Sequence, residues 1–583
     1  MNNNNSQFNG AAQQAQGQGY YPPQGEQGYY SPQGNPGQEY YPPQGTPGQG
    51  YYPPPNYAQP HHFAQKPVFP TDKKDRAFAP ILLILCGVGE FAGLWGGFQA
   101  GFTVSFDLLF IALTVYFAKK GTAPNLFALI CGMLSLALSG VFTATTNELV
   151  RFFSVIALVC TSIVWFSALA GKRLTGGELS LIRHIALPIG EMFGEMPRMI
   201  RTASSVKTGE RRSVPKALLG VICALPLLCA VVALLIRSDA AFEGMVGSIF
   251  KSIGSVIVRI VLTLIITPFL LSFAFSLRKK TRAEKAEREL KGLDTSFLAA
   301  FTGVLSVCYL VYLFSQLAYF VSAFSGFLPV GYSFSYSEYA RRGFFELCVI
   351  AGINLAVLYL TILLARKKDG KLPGALRTIG AFIGCFTLFL IATAVSKNIM
   401  YIRNSGMTVL RVGSSAFLCA LAVVFLAAIL RCFFARVRIL PVALVAFACT
   451  LCVLGIGNIN AACAKYNYDT YRSGQLKKID CEHLSSLGAE GVPYLVDLAM
   501  HGNEDDAAAA RTELYYLIPE LYDGEWKSET EQFDEYYTEY LEPQRHKYPA
   551  LSQYSIPRAK AYAAIDALLK EEPEFMHVEA QKF

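Results

Sequence analysis

Two charged side chains, Glu90 and Arg259, interrupt apolar runs, and that position gives them chemical reach. Glu90 lies within Leu83 to Trp95 and Arg259 within Val256 to Ile266. An ion in hydrocarbon is expensive unless it is paired or faces water, so such residues mark ion routes, proton relays or counter-charges for a substrate. Two bland readings stand beside these: a buried structural ion pair, or a Glu90 that keeps its proton. Asp107, Arg151 and Arg411 lie nearer the ends of their runs, where a long side chain can reach the interface. Next to Glu90, Gly89, Gly93 and Gly97 recur every four residues, a small-residue face on which helices approach closely.

A second constellation is Tyr336, Glu338, Tyr339, Arg341, Arg342 and Glu346. On a helix Glu338 reaches Arg341 and Arg342, and Arg342 reaches Glu346. The cluster reads either as an entry site for a polar ligand or as a helix cap with an aromatic belt. The sequence contains no H-E-x-x-H, G-x-S-x-G, Walker or dinucleotide-binding pattern. No catalytic residue, metal site or cofactor is legible, because His483, His501, His546 and His577 lack paired ligand spacing and His61-His62 stands in a polar tail. Of 14 cysteines only Cys463 and Cys481 lie in polar sequence, so there is no disulfide framework. Cys449 and Cys452 form a C-x-x-C inside an apolar run, where a thiolate is disfavoured.

The elements that must position these residues are apolar helices. With 52% hydrophobic and only 16% charged residues among 583, the chain is no ordinary soluble protein. A helix needs roughly 20 apolar residues to cross a bilayer. Spanning candidates start near Ala77, Phe102, Asn125, Val150, Lys216, Ile253, Ser296, Phe344, Leu376, Thr408 and Ile439, eleven in all, with ten or twelve as alternatives. The expected fold is therefore an all-α polytopic membrane protein. Lys119-Lys120, Lys172-Arg173, Arg278-Lys279-Lys280, Arg366-Lys367-Lys368 and Arg431 with Arg436 and Arg438 fall on alternate connections. The positive-inside rule then puts the N-terminus in the cytoplasm and the C-terminus outside a bacterial cell membrane.

Five segments follow. Residues 1–75 are a low-complexity Gln, Gly, Pro and Tyr tail with tyrosine pairs at Tyr20, Tyr29, Tyr40 and Tyr51, too polar to bury a core. Residues 76–170 carry four spanning helices, and 171–213 an amphipathic interfacial segment broken at Pro188 and Pro197. The remaining seven helices lie in 214–457. Residues 458–583 form an acidic helical domain: from Lys465 onward 12 Lys or Arg stand against 23 Asp or Glu. Expected partners are the lipid bilayer and proteins that bind the tyrosine-rich tail or the acidic domain. The basic excess, confined to short loops, points to a membrane surface and not to nucleic acid.

Residues Tyr336 to Leu347 (YSEYARRGFFEL), together with Asn458, Ala464-Lys-Tyr-Asn, Tyr471, Gly474, Ile479-Asp480, Leu484, Leu487 and Val492-Pro493, resemble motifs of a family of bacterial multi-pass membrane proteins. That family is the domain of unknown function 4173, with its relative 4153, and the resemblance spans roughly Ala77 to Leu498. It implies a fold and a membrane location but no reaction. Three functional readings stay open. The first is a non-enzymatic envelope scaffold or sensor displaying an outer domain. The second is a transporter or channel for an ion or small polar solute, built on Glu90, Arg259 and helices interrupted at Pro226 and Pro268. The third is a membrane-embedded enzyme acting on a lipid or envelope precursor.

Overall fold

The computed structural model describes residues 73–91, 98–118, 123–172, 174, 179–204, 224, 231, 255–278, 292–325, 344–367, 371–522, 525–530, 536–542 and 554–581. Among these, nine helices are long and apolar enough to cross a membrane. They are α2 (Ala100–Ala118), α3 (Leu126–Ala144), α4 (Glu148–Leu169), α7 (Ser255–Arg278), α8 (Thr295–Ser325), α9 (Phe344–Leu364), α10 (Gly374–Ser405), α11 (Val409–Phe433) and α12 (Ile439–Ile456). The protein is an all-α polytopic membrane protein, and these nine coincide with nine of the eleven expected runs. A tenth, α1 (Lys73–Gly89), covers the first part of the expected run, whose residues 92–97 lie outside those described. The run beginning at Lys216 lies almost wholly outside the described residues, as do the tyrosine-rich repeats.

The helices begin where their caps dictate. Asn125 and Asn147 accept from the backbone N–H groups of Ala128 and Val150, filling orphan donors at the starts of α3 and α4. Large apolar side chains such as Val304 (73% exposed) point away from the protein, as a hydrocarbon solvent allows. Helices α1, α2 and α7 pack together, as do α8, α9, α10 and α11, while α12 lies against α3, α4 and α11. Interior Ser and Thr hydroxyls return a hydrogen bond to the carbonyl one turn back, Thr161 to Ala157 and Thr387 to Ile383, so few bury unsatisfied.

The segment expected in the interface is helical: α5 (Ser180–Gly194) and α6 (Met196–Ser204) pack on α7. The break falls at Glu195, not at Pro188. Pro188 is buried within α5, where the Ser276 hydroxyl donates to its carbonyl at 2.8 Å, so packing on α7 holds the helix through the proline. Pro197 sits in the first turn of α6, which a proline tolerates.

Beyond α12 the chain continues as α13 (Ile459–Arg472), α14 (Cys481–Ser486), α15 (Val492–His501), α16 (Glu504–Tyr522) and α17 (Ile556–Glu571). The first four lie close to Ala461 to Arg472, His483 to Leu487, Gly491 to Met500 and Ala507 to Leu521, the segments that the apolar pattern of the sequence makes helical. The helical domain also holds a sheet that the helix-based reading lacks. Strands β1 (Glu525–Thr530), β2 (Tyr536–Glu542) and β3 (His577–Gln581) pair antiparallel in that order. The Tyr and Thr content of 536–542 favours extended chain. The domain's core (Leu484, Val492, Leu495, Leu514, Ile518, Ile565) runs without interruption into Val141 and Val150 at the ends of α3 and α4. The domain is therefore packed onto the bundle, not tethered to it.

The closest helix approaches rest on glycines outside the expected stripe. A Cβ on Gly384 of α10 would overlap Ile429 of α11, and one on Gly455 of α12 would overlap Val141 of α3. Gly380 and Gly384 are themselves four apart, a small-residue pair legible in the sequence. Replacing Gly384 with Ala should lower stability by about 1–3 kcal/mol through overpacking. Gly303→Ala, where nothing lies within 4 Å of the added Cβ, should leave it unchanged or slightly raised. Thermal unfolding of the two purified variants in detergent checks this contrast.

Candidate functional site

Helices α1 and α7 place Glu90 and Arg259 at the same level of the bundle. Arg259 Nη1 donates to the Phe91 carbonyl at 3.4 Å, and its guanidinium lies 5.4 Å from the Phe91 ring centroid. Glu90 is 2% exposed, and its Oε2 is buried with no hydrogen-bond partner. A Cβ added at Gly89 would stand in ordinary contact with Ser105 of α2. Gly93 and Gly97 lie outside the described residues, as do Tyr336, Glu338, Tyr339, Arg341 and Arg342; Glu346 opens α9 and is exposed.

Asp107, which its place in the run suggested was close to an end, is mid-helix. Seven residues of α2 precede it, about 10 Å at 1.5 Å per residue. The Ser139 hydroxyl of α3 donates to its Oδ1 at 2.7 Å. Above it, Thr103 donates to the Ser139 carbonyl at 2.6 Å and shares a 3.0 Å hydrogen bond with Thr143.

At the opposite end of the bundle a buried cluster joins four helices. Asp75 in the first turn of α1 is fully buried, and Arg278 in the last turn of α7 donates to its Oδ1 at 2.6 Å. Tyr116 of α2 donates to the same oxygen at 2.8 Å and accepts from Arg278 at 3.0 Å. Arg198 of α6 lies 3.8 Å from Asp75 Oδ2, with its guanidinium over the Phe275 ring at 4.6 Å. An acid at a helix start and a base at a helix end also suit the two macrodipoles. Sequence reasoning missed all four residues, since each looks like an ordinary charge or aromatic at a run end; only the fold brings them together.

The other face carries the C-terminal domain, which touches the bundle at Ala100, whose N–H donates to the Tyr554 carbonyl at 3.0 Å, and at two places where side chains cluster. Glu490, 4% exposed, accepts from the Thr146 N–H at 3.0 Å and its hydroxyl at 2.5 Å. Beside it Asn147 donates to Asn460 Oδ1 at 2.8 Å. Asn458, in left-handed backbone (φ 48°), caps α13 and donates to the Ala144 carbonyl at 2.9 Å. The second place is Met407 in the α10–α11 turn. Asn467 accepts from its N–H at 2.6 Å and donates to its carbonyl at 2.8 Å. His483 Nε2 approaches the same carbonyl at 3.2 Å, while Arg411 donates to the Gly406 carbonyl at 2.5 Å. Within the domain Tyr468 donates to Asp497 and Tyr471 to Asp506. Burial together with Asp497 pushes the Tyr468 hydroxyl above the usual tyrosine range, and the Asp506 acceptor does the same for Tyr471. Among the described residues no group of three or more His, Cys, Asp or Glu could hold a metal ion.

These features define a class: a helical multi-pass membrane protein with a C-terminal domain packed onto one end. More particularly, residues 128–498 match the model of the domain of unknown function DUF4153, and the chain belongs to that family. The match is to this family rather than to 4173, and it begins after α2. No curated protein and no solved structure matches the chain. Within the matched span, the motif residues Asn458, Asn467, Leu484, Leu487 and Val492 form the joint between the domain and the bundle.

Removing Asp75 deprives two half-buried cations, Arg278 and Arg198, of their shared partner, which costs about 1–3 kcal/mol. Asp75→Ala should therefore destabilise the protein by that order and raise hydrogen exchange in α6 (Met196–Ser204), read by thermal unfolding and exchange mass spectrometry. His184 on α5 supplies a pH test. Burial, aided by the Lys172 charge, pushes its imidazole down to about 4 from an ordinary 6.5. A base held neutral in the fold contributes full stability above about 6.5 and loses it as pH falls toward 4. Exchange protection of Ser180–Gly194 should fall across that window, and His184→Gln should flatten the profile.

Proposed function

We propose that the protein is a non-enzymatic sensor or scaffold of the bacterial cytoplasmic membrane, with its N-terminus in the cytoplasm and its acidic C-terminal domain outside. One observation carries this reading: the turn between α10 and α11 is held at Met407 by two elements of the domain at once, Asn467 of α13 and His483 of α14. Any partner that shifts the domain would pull on a helix hairpin inside the membrane. Proteins bound by the acidic domain or by the tyrosine-rich tail would be the inputs. The basic loops on the Asp75 face support the orientation by the positive-inside rule.

A second reading, transport of an ion or small polar solute, is favoured by the buried, unpartnered Oε2 of Glu90 close to Arg259. The reading as an enzyme rests on the Glu338 to Glu346 cluster, of which only the last three residues lie among those described.

Two measurements test the first reading. Asn467→Ala combined with His483→Ala should raise hydrogen exchange in the Ser405–Thr408 turn while leaving α15 and α16 protected; unchanged exchange would remove the coupling. In intact cells a membrane-impermeant maleimide should label Glu504→Cys, an exposed position. Labelling only after gentle permeabilisation would reverse the orientation. Native Cys481 should stay silent, because burial and nearby carboxylates push its thiol up to about 11.

A further inference from the structure

We propose that Asp107 is a proton-binding site within the membrane, loaded from the face that carries the C-terminal domain along a column of hydroxyl groups. Asp107 sits about 10 Å down α2, at 1.5 Å per residue. Among the described residues it has one hydrogen bond, the 2.7 Å donation from Ser139, and no cation forms an ion pair with it. A lone carboxylate in such surroundings is neutralised most cheaply by taking up a proton.

The groups that face it from the packed helices offer no alternative charge. Helix α3 has no acidic or basic side chain, only Cys131. Helix α4 has Glu148 and Arg151 in its first turn, with Cys160 deeper. Arg151 is spent on the carbonyls of Thr145 and Phe142. Helix α1 adds Cys86 and, near its end, Glu90; its Lys73, Lys74, Asp75 and Arg76 lie at the far end. On α2 itself only Tyr116 is titratable, and it belongs to the Asp75 cluster.

The column has a direction. Thr146 and Glu490 lie at the domain joint, followed inward by Thr143 and Thr103, then Ser139 and Asp107. One turn further along α3, Ser135 donates to Thr161 at 2.9 Å and Ser162 donates to Ser135 at 3.2 Å. Beyond these the packing becomes apolar around Ala128, Cys131 and Val164. Hydroxyl groups thus line α3 from Ser135 to Thr143 toward the domain face, while the packing toward the Asp75 face is apolar, which favours binding and release of the proton by the same side. A sodium-sized cation is the poorer occupant, because the Ser139 hydroxyl is shared between the carboxylate and the Leu136 carbonyl, and the Thr103 hydroxyl between the Ser139 carbonyl and Thr143, so the nearby oxygens are already engaged with one another. The proposal does not depend on the sensor reading; it concerns a site that either a sensor or a transporter could use.

The full-length protein in lipid vesicles is treated with dicyclohexylcarbodiimide, which adds to protonated carboxyls in apolar surroundings, and the modified residue is located by peptide mass spectrometry across an acid-to-neutral pH series. In parallel the infrared carbonyl stretch of a protonated carboxylic acid is recorded. Asp107 should be modified increasingly as pH falls, with sodium and potassium buffers equivalent. The infrared band should vanish in Asp107→Asn, which keeps the side-chain shape. Ser139→Ala removes the donor that favours the charged form, so both signals should persist to higher pH. Protection by sodium would make this a cation site and overturn the proposal. So would a carboxylic-acid band that is absent at every pH or that disappears only in Glu90→Gln.

Discussion

Asn458 is the side chain on which the arrangement of the two halves depends. It occupies left-handed backbone just after α12, where asparagine is among the few non-glycine residues that settle at little cost. There its side-chain oxygen starts α13 at Ala461, and its amide nitrogen donates to the last carbonyl of α3. One residue therefore ends a spanning helix, begins a soluble one and ties both to a distant helix. Gly457 and Asn458 make the break, and the angle they set brings Asn467 to Met407 and Glu490 to Thr146.

The polar contacts at that joint work because they are buried. Glu490 is almost wholly enclosed and has its carboxylate satisfied by the backbone and hydroxyl of Thr146. In low dielectric such bonds are stronger than in water, and leaving one unmade is correspondingly expensive. The Asp75 cluster obeys the same rule at the opposite end, gathering Arg278, Tyr116 and Arg198 around one carboxylate. Between these two pinned ends, contacts among the spanning helices are largely apolar or hydroxyl-based. Asp107, bonded to one hydroxyl, and Glu90, with one oxygen unbonded, stand out there as carboxylates with less polar support among the described residues.

Much of the architecture was legible before any coordinates. Nine spanning helices and four helices of the soluble domain lie where apolar periodicity puts them, because a helix in hydrocarbon must be continuous and apolar. The sites were less legible. Glu90 was visible as a charge in an apolar run. Asp107 was passed over, because run ends are blurred by the apolar residues that continue past them. Pro188 was read as a break because the sequence cannot show that Ser276 and the packing on α7 hold the helix through it. The 525–542 strands escaped a search tuned to helical spacing.

The sequence by itself determined the class, the place of most spans and the acidic character of the C-terminal domain. These follow from local composition and from the bilayer's demand that each segment satisfy its own backbone. Only the tertiary structure decided which polar residues meet. Asp75 and Arg278 are about 200 residues apart, and Thr146 and Glu490 more than 300. No local propensity encodes such encounters. They arise from how the helices cross, which depends on close approaches such as Gly384 on Ile429 and Gly455 on Val141.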